Sequence, residues 1–238
     1  MRTIRVFCAG ELSARSRIPL DERAAHHVRN VLRLRTGDPL VAFNGDGMNY
    51  PATVVGLGRA VEIEIDTPSP AITESPLRIT LALALIRPER FEFALQKATE
   101  LGVTEVIPLR TARCVDRAGK PERWRSIVMA ACEQSGRARL PSICDPVELA
   151  KALEIAPRPL LFGDPLADGA SGLLQMDQTD RPVALTWVIG PEGGFDDAER
   201  AALIAAGGRP VWFGPRVLRA ETAATLAIGL AQARWGDV

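Results

Sequence analysis

Two short clusters of polar residues contain the side chains that could do chemistry in this chain. The first is Glu192 within the run G-P-E-G-G at residues 190–194, and the second combines a cation, a carboxylate and a hydroxyl in Arg219, Glu221 and Thr222. A carboxylate can move a proton, and an arginine can stabilise negative charge that develops on a substrate. Glycines let backbone groups approach a ligand without a Cβ atom in the way. The pairing of the two clusters favours a ligand site over an ordinary glycine-rich loop.

Each cluster follows an apolar stretch, which is typical of a buried strand that ends at the edge of a parallel sheet. The stretches are residues 183–189 and 211–213, and Asp196 and Asp197 are expected to cap a helix that runs through Ala206. Ligands bind at such sheet edges. The glycines lack the G-x-G-x-x-G spacing of a dinucleotide site and the G-K-[ST] ending of a phosphate loop, so phosphate binding is not predicted there.

Both clusters closely resemble signature sequences of a known enzyme family. Residues 189–195 match I-G-P-E-G-G-[FWL], and residues 213–223 resemble L-G-x-R-[IV]-L-R-x-E-T-A, which are signatures of the RsmE-type family. The resemblance covers nearly the whole chain in order, through further stretches at residues 26–28, 31–34, 96–103 and 130–137. RsmE-type proteins belong to the SPOUT superfamily and use S-adenosylmethionine to methylate N3 of a uridine in small-subunit (16S) ribosomal RNA. The resemblance implies the same activity for this chain.

The resemblance also implies which residues act in the site. By motif match, Arg219, Glu221 and Glu192 are the expected catalytic residues. Arg219 would hold a target phosphate or the uracil oxygen as negative charge develops, and Glu221 is expected to anchor the start of the final helix by accepting backbone N–H bonds more than to act directly. In a helical turn these two side chains would diverge by about 200°, so they should not form one ion pair. The residues expected around S-adenosylmethionine are Leu161, Gly163, Ile189, Gly190, Pro191, Glu192, Gly193, Gly194, Phe213, Gly214, Val217, Leu218, Arg219, Glu221 and Thr222.

Positive charge is concentrated near the N-terminus, although the formal net charge of the chain is zero. Residues 1–35 contain eight arginines against three acidic residues, an excess of five positive charges that would suit phosphate binding. A second polar cluster, which the resemblance places beside the substrate pocket, includes Gln134 and Arg137. The residues expected to contact RNA are Arg2, Arg5, His27, Arg29, Arg33, Gln134 and Arg137.

Histidines, cysteines and hydropathy argue against a metal site, a disulfide framework and a membrane anchor. His26 and His27 are adjacent on a predicted helix and therefore about 100° apart, so they cannot share a metal ion as an i, i+4 pair would. The four cysteines are widely scattered. The longest apolar runs are much too short to cross a bilayer, and the N-terminus lacks the apolar region of a signal peptide. We expect a cytoplasmic protein that holds no metal.

Residues 1–70 have the patterning of a small β-rich domain. Strands are expected at residues 3–8, 39–43, 50–55 and 61–66, with a hairpin turn at 44–47. Asp21 should cap a helix that runs to Leu34. The inward face of that helix is predicted to hold Ala24, Ala25, Val28, Val31 and Leu32. The resemblance assigns residues 1–70 to a PUA-like, RNA-binding β-barrel.

Residues 71–238 are predicted to form an α/β domain with a mostly parallel sheet. The proline-rich stretch 66–76 is interpreted as an interdomain linker. Strands at 77–86, 103–109, 159–162, 183–189 and 211–213 alternate with helices at 88–101, 122–135, 147–155, 197–206 and 220–233. The resemblance makes this a SPOUT methyltransferase domain with a C-terminal trefoil knot. It also implies a homodimer, for which the small residues of the last helix would permit close approach.

Two other functions remain open at the level of sequence. A SPOUT methyltransferase acting on another RNA position, such as a ribose 2′-OH, would share most of these features, and so would a catalytically inactive RNA-binding module for ribosome assembly. The intact cofactor loop argues against the inactive module. The motifs around Glu192 and Glu221 favour uridine N3 by resemblance only. The expected RNA partner is 16S rRNA, within the small ribosomal subunit or an assembly intermediate.

Overall fold

Two β-sheets organise the chain, and each belongs to its own unit of structure. The computed structural model describes residues 3–115, 120–164, 172–173 and 181–238. By internal contacts the chain divides into a first unit, Met1–Glu74 with Met129–Leu140, and a second unit, Ser75–Val128 with Pro141–Val238. Within the described ranges, no helix is both long and apolar enough to span a membrane.

The first unit contains a sheet of six short strands: β1 (Arg5–Phe7), β2 (Arg17–Pro19), β3 (Pro39–Phe43), β4 (Met48–Gly56), β5 (Glu62–Ile65) and β6 (Ser69–Pro70). Their order is β1-β3-β4-β5-β2, with β6 paired to β4. β1 runs parallel to β3, and the other pairs are antiparallel. The predicted hairpin is confirmed as β3 and β4. Gly45 and Gly47 in its turn have φ of 99° and 95°, a region that favours glycine.

Alternation along these strands fills the core of the first unit. In β5, Ile63 and Ile65 are buried and Glu64 is exposed, as the pattern of the sequence predicts. Val54 of β4 and Val6 of β1 are also fully buried. Each such aliphatic side chain contributes roughly 1.5–3 kcal/mol on full burial. The apolar positions therefore decide which face of each strand packs inward.

The helix predicted from Asp21 to Leu34 is shorter than expected. The Asp21 side chain caps it as predicted, by accepting the Ala24 N–H, but the α-helix α1 covers only Glu22–His26. A π-helical turn, His27–Val31, follows. There the Leu32 N–H donates to the His27 carbonyl, five residues back, which rotates the next side chains away from the α-helical face. As a result Val31 is 58% exposed, and its predicted inward position is wrong.

The stretch interpreted as a linker with little that could pack is instead bonded to the first unit. β6 pairs with β4, and the Ala71 N–H donates to the Gly47 carbonyl at 2.9 Å. Glu74 forms an ion pair with Arg137, with Nη2 to Oε2 at 2.8 Å. Proline is tolerated on edge strands such as β6 because an edge strand can leave a backbone N–H position unused. The prolines therefore mark an edge rather than a free linker.

The second unit contains a seven-stranded sheet in which every described pairing is parallel. The strands are β7 (Arg78–Ala84), β8 (Val103–Arg110), β9 (Ser142–Ile143), β10 (Val147–Glu148), β11 (Leu160–Gly163), β12 (Ala184–Ile189) and β13 (Arg209–Val211). Their order is β10-β8-β7-β12-β11-β13, with β9 paired to β8. The predicted α/β class with a mostly parallel sheet is confirmed.

Among the described residues, five helices belong to this part of the chain: α2 (Pro88–Glu100), α3 (Pro121–Ser135), α4 (Leu149–Ile155), α5 (Asp197–Ala205) and α6 (Ala220–Trp235). The unit boundary falls within α3. α2 begins at Pro88, as predicted, because the missing N–H of proline is not needed in a first turn. Its buried stripe includes Phe91 and Leu95, and Gly102 follows its end with φ of 89°. β7, α2 and β8 thus form the predicted crossover to a parallel strand.

Two element bounds differ from the predictions for local reasons. The helix predicted at 147–155 begins at Leu149, because residues 147–148 form a short strand beside β8. The last strand, predicted at 211–213, is β13, two residues earlier, so that Trp212 and Phe213 follow the sheet instead of belonging to it. Phe213 therefore lies in the loop that follows β13.

Candidate active site

A cleft opens where β11, β12 and β13 end. These strands are neighbours and run parallel, so the loops that follow them meet at one edge of the sheet. The empty space of the cleft is about 630 Å³, a volume that includes space open to solvent. Its lining comes from these loops and the start of α6: Gly163, Ile189, Gly190, Pro191, Glu192, Gly194, Val211, Phe213, Gly214, Arg216, Val217, Leu218, Ala220 and Ala223.

Two glycines of the lining lie against aromatic rings. A Cβ atom on Gly163 would stand 2.8 Å from Cε2 of Phe213, which is too close for a carbon contact. A Cβ atom on Gly190 would stand 3.1 Å from Cε2 of Phe195. Any larger residue would force one of these rings to move. The glycines therefore leave room for these rings in the positions they occupy.

A rigid aromatic layer supports the cleft. The Phe213 ring packs on Trp187 of β12 with centroids 5.6 Å apart, and Phe195 lies edge-on to Phe162 of β11 at 6.4 Å. Trp187, Phe162 and Phe195 are buried. Aromatic walls with backbone donors and acceptors beside them are typical of pockets for flat heteroaromatic ligands.

Two arginines hold the G-P-E-G-G loop. Arg90, in the first turn of α2, donates from Nη1 to Oε1 of Glu192 at 2.8 Å. Arg113 donates from Nη1 to the Gly193 carbonyl at 2.7 Å. A tight turn completes the loop, since the Gly194 N–H donates to the Pro191 carbonyl at 2.9 Å. The loop is therefore fixed by charged contacts at its middle and by a turn at its end.

The helix that follows the loop has the predicted cap. The Asp196 side chain accepts the Glu199 N–H at 2.8 Å, and Glu199 accepts the Asp196 N–H at 2.9 Å, which completes a capping box at the start of α5. The other carboxylate oxygen of Glu199 accepts the Ala112 N–H at 2.7 Å. The cap therefore also connects α5 to the loop after β8.

The cleft contains most of the residues that the sequence predicts around the cofactor. Ten predicted residues line it: Gly163, Ile189, Gly190, Pro191, Glu192, Gly194, Phe213, Gly214, Val217 and Leu218. Five predicted residues lie outside the lining: Leu161, Gly193, Arg219, Glu221 and Thr222. Four lining residues were missed: Val211, Arg216, Ala220 and Ala223. Val211 is the last residue of β13, whereas Arg216, Ala220 and Ala223 lie within the second motif, so the spacing from Gly214 could have indicated these three.

The two predicted catalytic residues of the second motif have different environments. Arg219 is the N-cap of α6 with extended backbone, φ −67° and ψ 152°, and its exposed side chain has no hydrogen bond or ion pair within the described ranges. Because Arg219 is not helical, the divergence expected for a helical turn does not apply. Glu221 is 8% exposed, and its Oε1 lies 3.9 Å from Nε of Arg90.

The role predicted for Glu221 needs correction. No backbone N–H of the described residues donates to its carboxylate, and its Oε2 is buried without a hydrogen-bond partner among them. The carboxylate instead faces a cation from another helix. Glu221 does not anchor the start of α6 through backbone N–H groups, because its carboxylate faces Arg90 of α2. Arg90 lies 131 positions earlier in the sequence.

Arg90 is the functional candidate that the sequence reasoning missed. It reaches both motif glutamates, by a hydrogen bond to Glu192 and an ion pair to Glu221. Sequence spacing gives no signal for this pairing, because Arg90 reaches the loops only through the position of β7, which precedes α2, beside β12 in the sheet.

In the first unit, three of the residues predicted to contact RNA line one cavity. Arg5, His27 and Gln134 lie around it together with Thr3, Ile4, Leu32, Ala130 and Glu133. Arg5 is tied to the fold, because Nη1 donates to Oδ1 of Asn49 at 2.8 Å and Nη2 donates to the Arg137 carbonyl. Gln134 is exposed and His27 is half-buried. Together with the exposed Thr3, these two side chains are accessible polar groups of the cavity wall.

The other predicted RNA contacts are distributed differently. Arg29 and Arg33 are exposed, and Arg29 donates to the carbonyls of Leu57 and Gly58. Arg137 is only 3% exposed and paired with Glu74, so its guanidinium is used inside the unit and the prediction that it meets RNA is not supported by its position. Arg2 lies outside the described residues.

Two buried thiols are poor nucleophiles, and no metal cluster is found in the part of the chain that the structure describes. Its four cysteines are free, and burial raises the pKa of the Cys8 and Cys132 thiols to about 12. These two thiols stay protonated at neutral pH, and a protonated thiol is a poor nucleophile. No group of three or more histidine, cysteine or carboxylate side chains that could hold a metal occurs among the described residues.

Two family models match this chain. A model described as the RNA methyltransferase domain matches residues 73–232, and one described as the RNA methyltransferase PUA domain matches residues 20–66. The first match contains all the residues that line the cleft. The second contains α1 and most of the first sheet.

Two relatives that align with this chain over most of its length share one name. The chain is 34% identical to ribosomal RNA small subunit methyltransferase E of Synechocystis over 94% of this chain and 75% of that protein. It is 32% identical to the protein of that name in Rickettsia conorii, over 96% of this chain and 94% of the relative.

Two solved structures cover the chain almost completely. A methyltransferase from Legionella pneumophila in complex with S-adenosylmethionine superposes with a TM-score of 0.93 at 36% identity, over all of both chains. Ribosomal RNA small subunit methyltransferase E from Neisseria gonorrhoeae, also bound to S-adenosylmethionine, gives 0.91 at 34% identity over 99% of each chain.

Proposed function

Because the chain belongs to the ribosomal RNA small subunit methyltransferase E family, we propose that it transfers a methyl group from S-adenosylmethionine to N3 of a uridine in 16S ribosomal RNA. One observation carries the proposal. The two motif loops meet in a single cleft at the carboxyl edge of a parallel sheet, with glycines where a ligand must approach the backbone.

The chemistry of the cleft fits S-adenosylmethionine. Gly163 and Gly190 present backbone groups that can hold a base or ribose, and Phe213 with its aromatic support offers an apolar wall to an adenine ring. Glu192 supplies a carboxylate in the lining, which suits a ligand that carries positive charge. We assign cofactor binding to the ten predicted residues that line the cleft and to the four lining residues beside them.

When bound, S-adenosylmethionine supplies an activated methyl group for transfer to a nucleophile in line. Uridine N3 is a weakly acidic imide nitrogen, so the protein must favour its anion. We assign Arg219 to stabilise the negative charge on the uracil oxygen, because its guanidinium is exposed beside the cleft and carries no partner among the described residues. A well-placed cation of this kind contributes roughly 10²–10⁴-fold to the rate. Orientation of the two reactants supplies much of the remainder.

RNA binding is assigned to the first unit. N3 lies on the pairing edge of uracil, so the target base must be unpaired or flipped out, and folded RNA presents such bases in loops and junctions. The exposed Arg29 and Arg33 suit phosphate contacts, and His27 and Gln134 suit contacts to an exposed nucleotide. Arg5 is assigned to hold the cavity wall, and Arg137 is assigned a structural role.

We also propose the domain organisation typical of the family. A PUA-like domain would cover residues 1–70 and a SPOUT methyltransferase domain residues 71–238, with a C-terminal trefoil knot. The family matches at 20–66 and 73–232 support a division between 66 and 73. The bonded contacts of Glu74 argue for a few residues more in the first domain.

The assembly and location follow from the same family. We propose a homodimer that acts in the cytoplasm on the small ribosomal subunit or an assembly intermediate. Small residues along α6, such as Ala223 and Gly229, would let a second copy approach closely. Light scattering at micromolar concentration should give twice the chain mass, and a monomer would refute the dimer.

A titration with S-adenosylmethionine tests the cofactor site. Saturable binding is expected for the parental protein, and Gly163→Ala should weaken it at least tenfold because the new Cβ displaces the Phe213 ring. Gly58→Ala is the matched control, since nothing lies within 4 Å of a Cβ atom there and the residue belongs to the first unit. Absence of binding by the parental protein would contradict the proposed function and would favour an inactive RNA-binding module.

A further inference from the structure

We propose that Arg90 is a positioning residue for the cofactor. Its guanidinium fixes the G-P-E-G-G loop against the start of α6, so that the loop is in place before the cofactor arrives. The inference rests on the proposed function for the identity of the ligand. Its structural part, the fixation of the loop, can be tested without any ligand.

Arg90 stands between carboxylates from both motif segments. Nη1 hydrogen-bonds Oε1 of Glu192 at 2.8 Å, and Nε lies 3.9 Å from Oε1 of Glu221. Glu192 belongs to the loop after β12, and Glu221 belongs to the first turn of α6. One cation from α2 therefore connects two segments that are separated by almost 30 residues and that both contribute to the cleft.

The environment of the three groups makes this connection effective. The side chains of Arg90 and Glu221 are 24% and 11% exposed, so water screens their attraction less than at an open surface. The carboxylate of Glu221 also lies in the first turn of α6, where the helix macrodipole favours negative charge. Removing the cation would leave Glu221 nearly buried without its counter-ion.

The unused oxygen of Glu221 points to the same role. Oε2 is buried and accepts no hydrogen bond from the described residues. Nε of Arg90, at 3.9 Å from the other oxygen, is within ion-pair range but beyond hydrogen-bond distance. A closer approach of Arg90 to Glu221 would tighten the connection between the two segments at the point where the cleft is formed.

Arg90 does not line the cleft, so it acts through Glu192 and not on the ligand. Fixing the backbone of a loop costs conformational entropy, and a loop that is not held beforehand must incur that cost when the ligand binds. Loss of the guanidinium should therefore raise the dissociation constant for S-adenosylmethionine roughly tenfold, which corresponds to ordering about one residue. Turnover at saturating cofactor should stay close to parental.

Calorimetric titration of five variants with S-adenosylmethionine tests the proposal. Arg90→Ala should bind about tenfold more weakly, and Arg90→Lys should recover part of the affinity because an ammonium still reaches one carboxylate. The double variant Arg90→Ala with Glu192→Ala should lose less affinity than the sum of the losses in Arg90→Ala and Glu192→Ala, since both substitutions remove the same contact between Arg90 and Glu192. Arg123→Ala is the control, because it removes a surface ion pair between Arg123 of α3 and Glu92 of α2 (3.1 Å), neither of which lines the cleft.

Hydrogen exchange of the ligand-free protein provides the second readout. The amides of residues 192–195 should exchange faster in Arg90→Ala than in the parental protein or in Arg123→Ala. Unchanged affinity, an equal loss of affinity in Arg123→Ala, or a loss confined to turnover at saturating cofactor would overturn the proposal, and so would unchanged exchange. Faster exchange in a protein whose parental form binds no S-adenosylmethionine would support loop fixation and refute the proposed function.

Discussion

At the residue scale, the two arginines near the motifs differ in whether they are already paired. Arg90 is held by two carboxylates, whereas the side chain of Arg219 makes no hydrogen bond or ion pair within the described part of the chain. A cation that must respond to charge developing on a substrate gains most when no fixed carboxylate neutralises it. Arg219 therefore remains the candidate for catalysis, and Arg90 the candidate for positioning.

Replacement of Arg219 by alanine should separate chemistry from binding. Arg219→Ala should keep the fold and bind S-adenosylmethionine nearly as well as the parental protein, because the residue lies outside the lining of the cleft. Single-turnover methylation should fall roughly 10²-fold or more, as for the loss of one charge-stabilising group. Arg216→Ala is a useful comparison, since Arg216 does line the cleft and its loss should affect binding first.

The Arg219 assignment is refuted if the alanine variant methylates at the parental rate.

Glu221→Ala should behave differently from both arginine variants. Glu221 is nearly buried and faces Arg90, so its loss should lower the melting temperature as well as the cofactor affinity.

The residue types of the site could be predicted from the sequence, but their partners could not. Glu192 and Gly190 were identified by local motifs, whose spacing is visible along the chain. The partner of Glu192 is Arg90, 102 positions away. Only the neighbouring positions of β7 and β12 in the sheet bring these two side chains together, and sequence spacing does not encode that order.

At the element scale, the first helix and the residues after it present basic side chains to solvent. The exposed Arg29 lies in the π-helical turn His27–Val31, and the exposed Arg33 follows it with φ of 53°. Left-handed backbone at a residue other than glycine is uncommon. The end of this helix thus carries two exposed arginines close together in sequence, which suits contact with an RNA backbone.

Neutralising these two arginines should weaken RNA binding without changing the cofactor site. In Arg29→Gln combined with Arg33→Gln, the slope of log K against log salt concentration should fall by about 1–2, because each phosphate contact releases roughly one counterion. Arg123→Gln with Arg125→Gln removes the same charge from α3 and is the matched control. Filter binding at several salt concentrations checks both pairs, and equal RNA affinity in the parental protein and the first pair would exclude this element from the interface.

The type and order of the elements were largely predictable, but some of their ends were not. The crossover from β7 through α2 to β8 and the cap of α5 follow from periodicity and capping residues, and both are confirmed. The shift from α-helix to π-helix after His26 has no signal in apolar spacing. The prolines of residues 66–76 predict a linker, but this stretch contains the edge strand β6, and edge strands tolerate proline.

At the scale of the whole molecule, the chain separates two tasks between its units. The basic N-terminal segment belongs to the first unit, and the cleft is built entirely from the second. Zero net charge is therefore compatible with RNA binding, because the local excess of arginine in residues 1–35 is what phosphates would meet. Family membership could be inferred from the sequence because its motifs extend along nearly the whole chain.

The central claim is that this protein methylates N3 of a uridine in 16S ribosomal RNA, and analysis of the product tests it most directly. Small ribosomal subunits from cells that lack this protein would be incubated with the protein and S-adenosylmethionine, and the RNA digested to nucleosides for mass spectrometry, with Arg219→Ala as the control. We expect 3-methyluridine to appear with the parental protein and to be nearly absent with the variant. A 2′-O-methylated nucleoside, or no new methylated nucleoside although S-adenosylmethionine binds, would contradict the account.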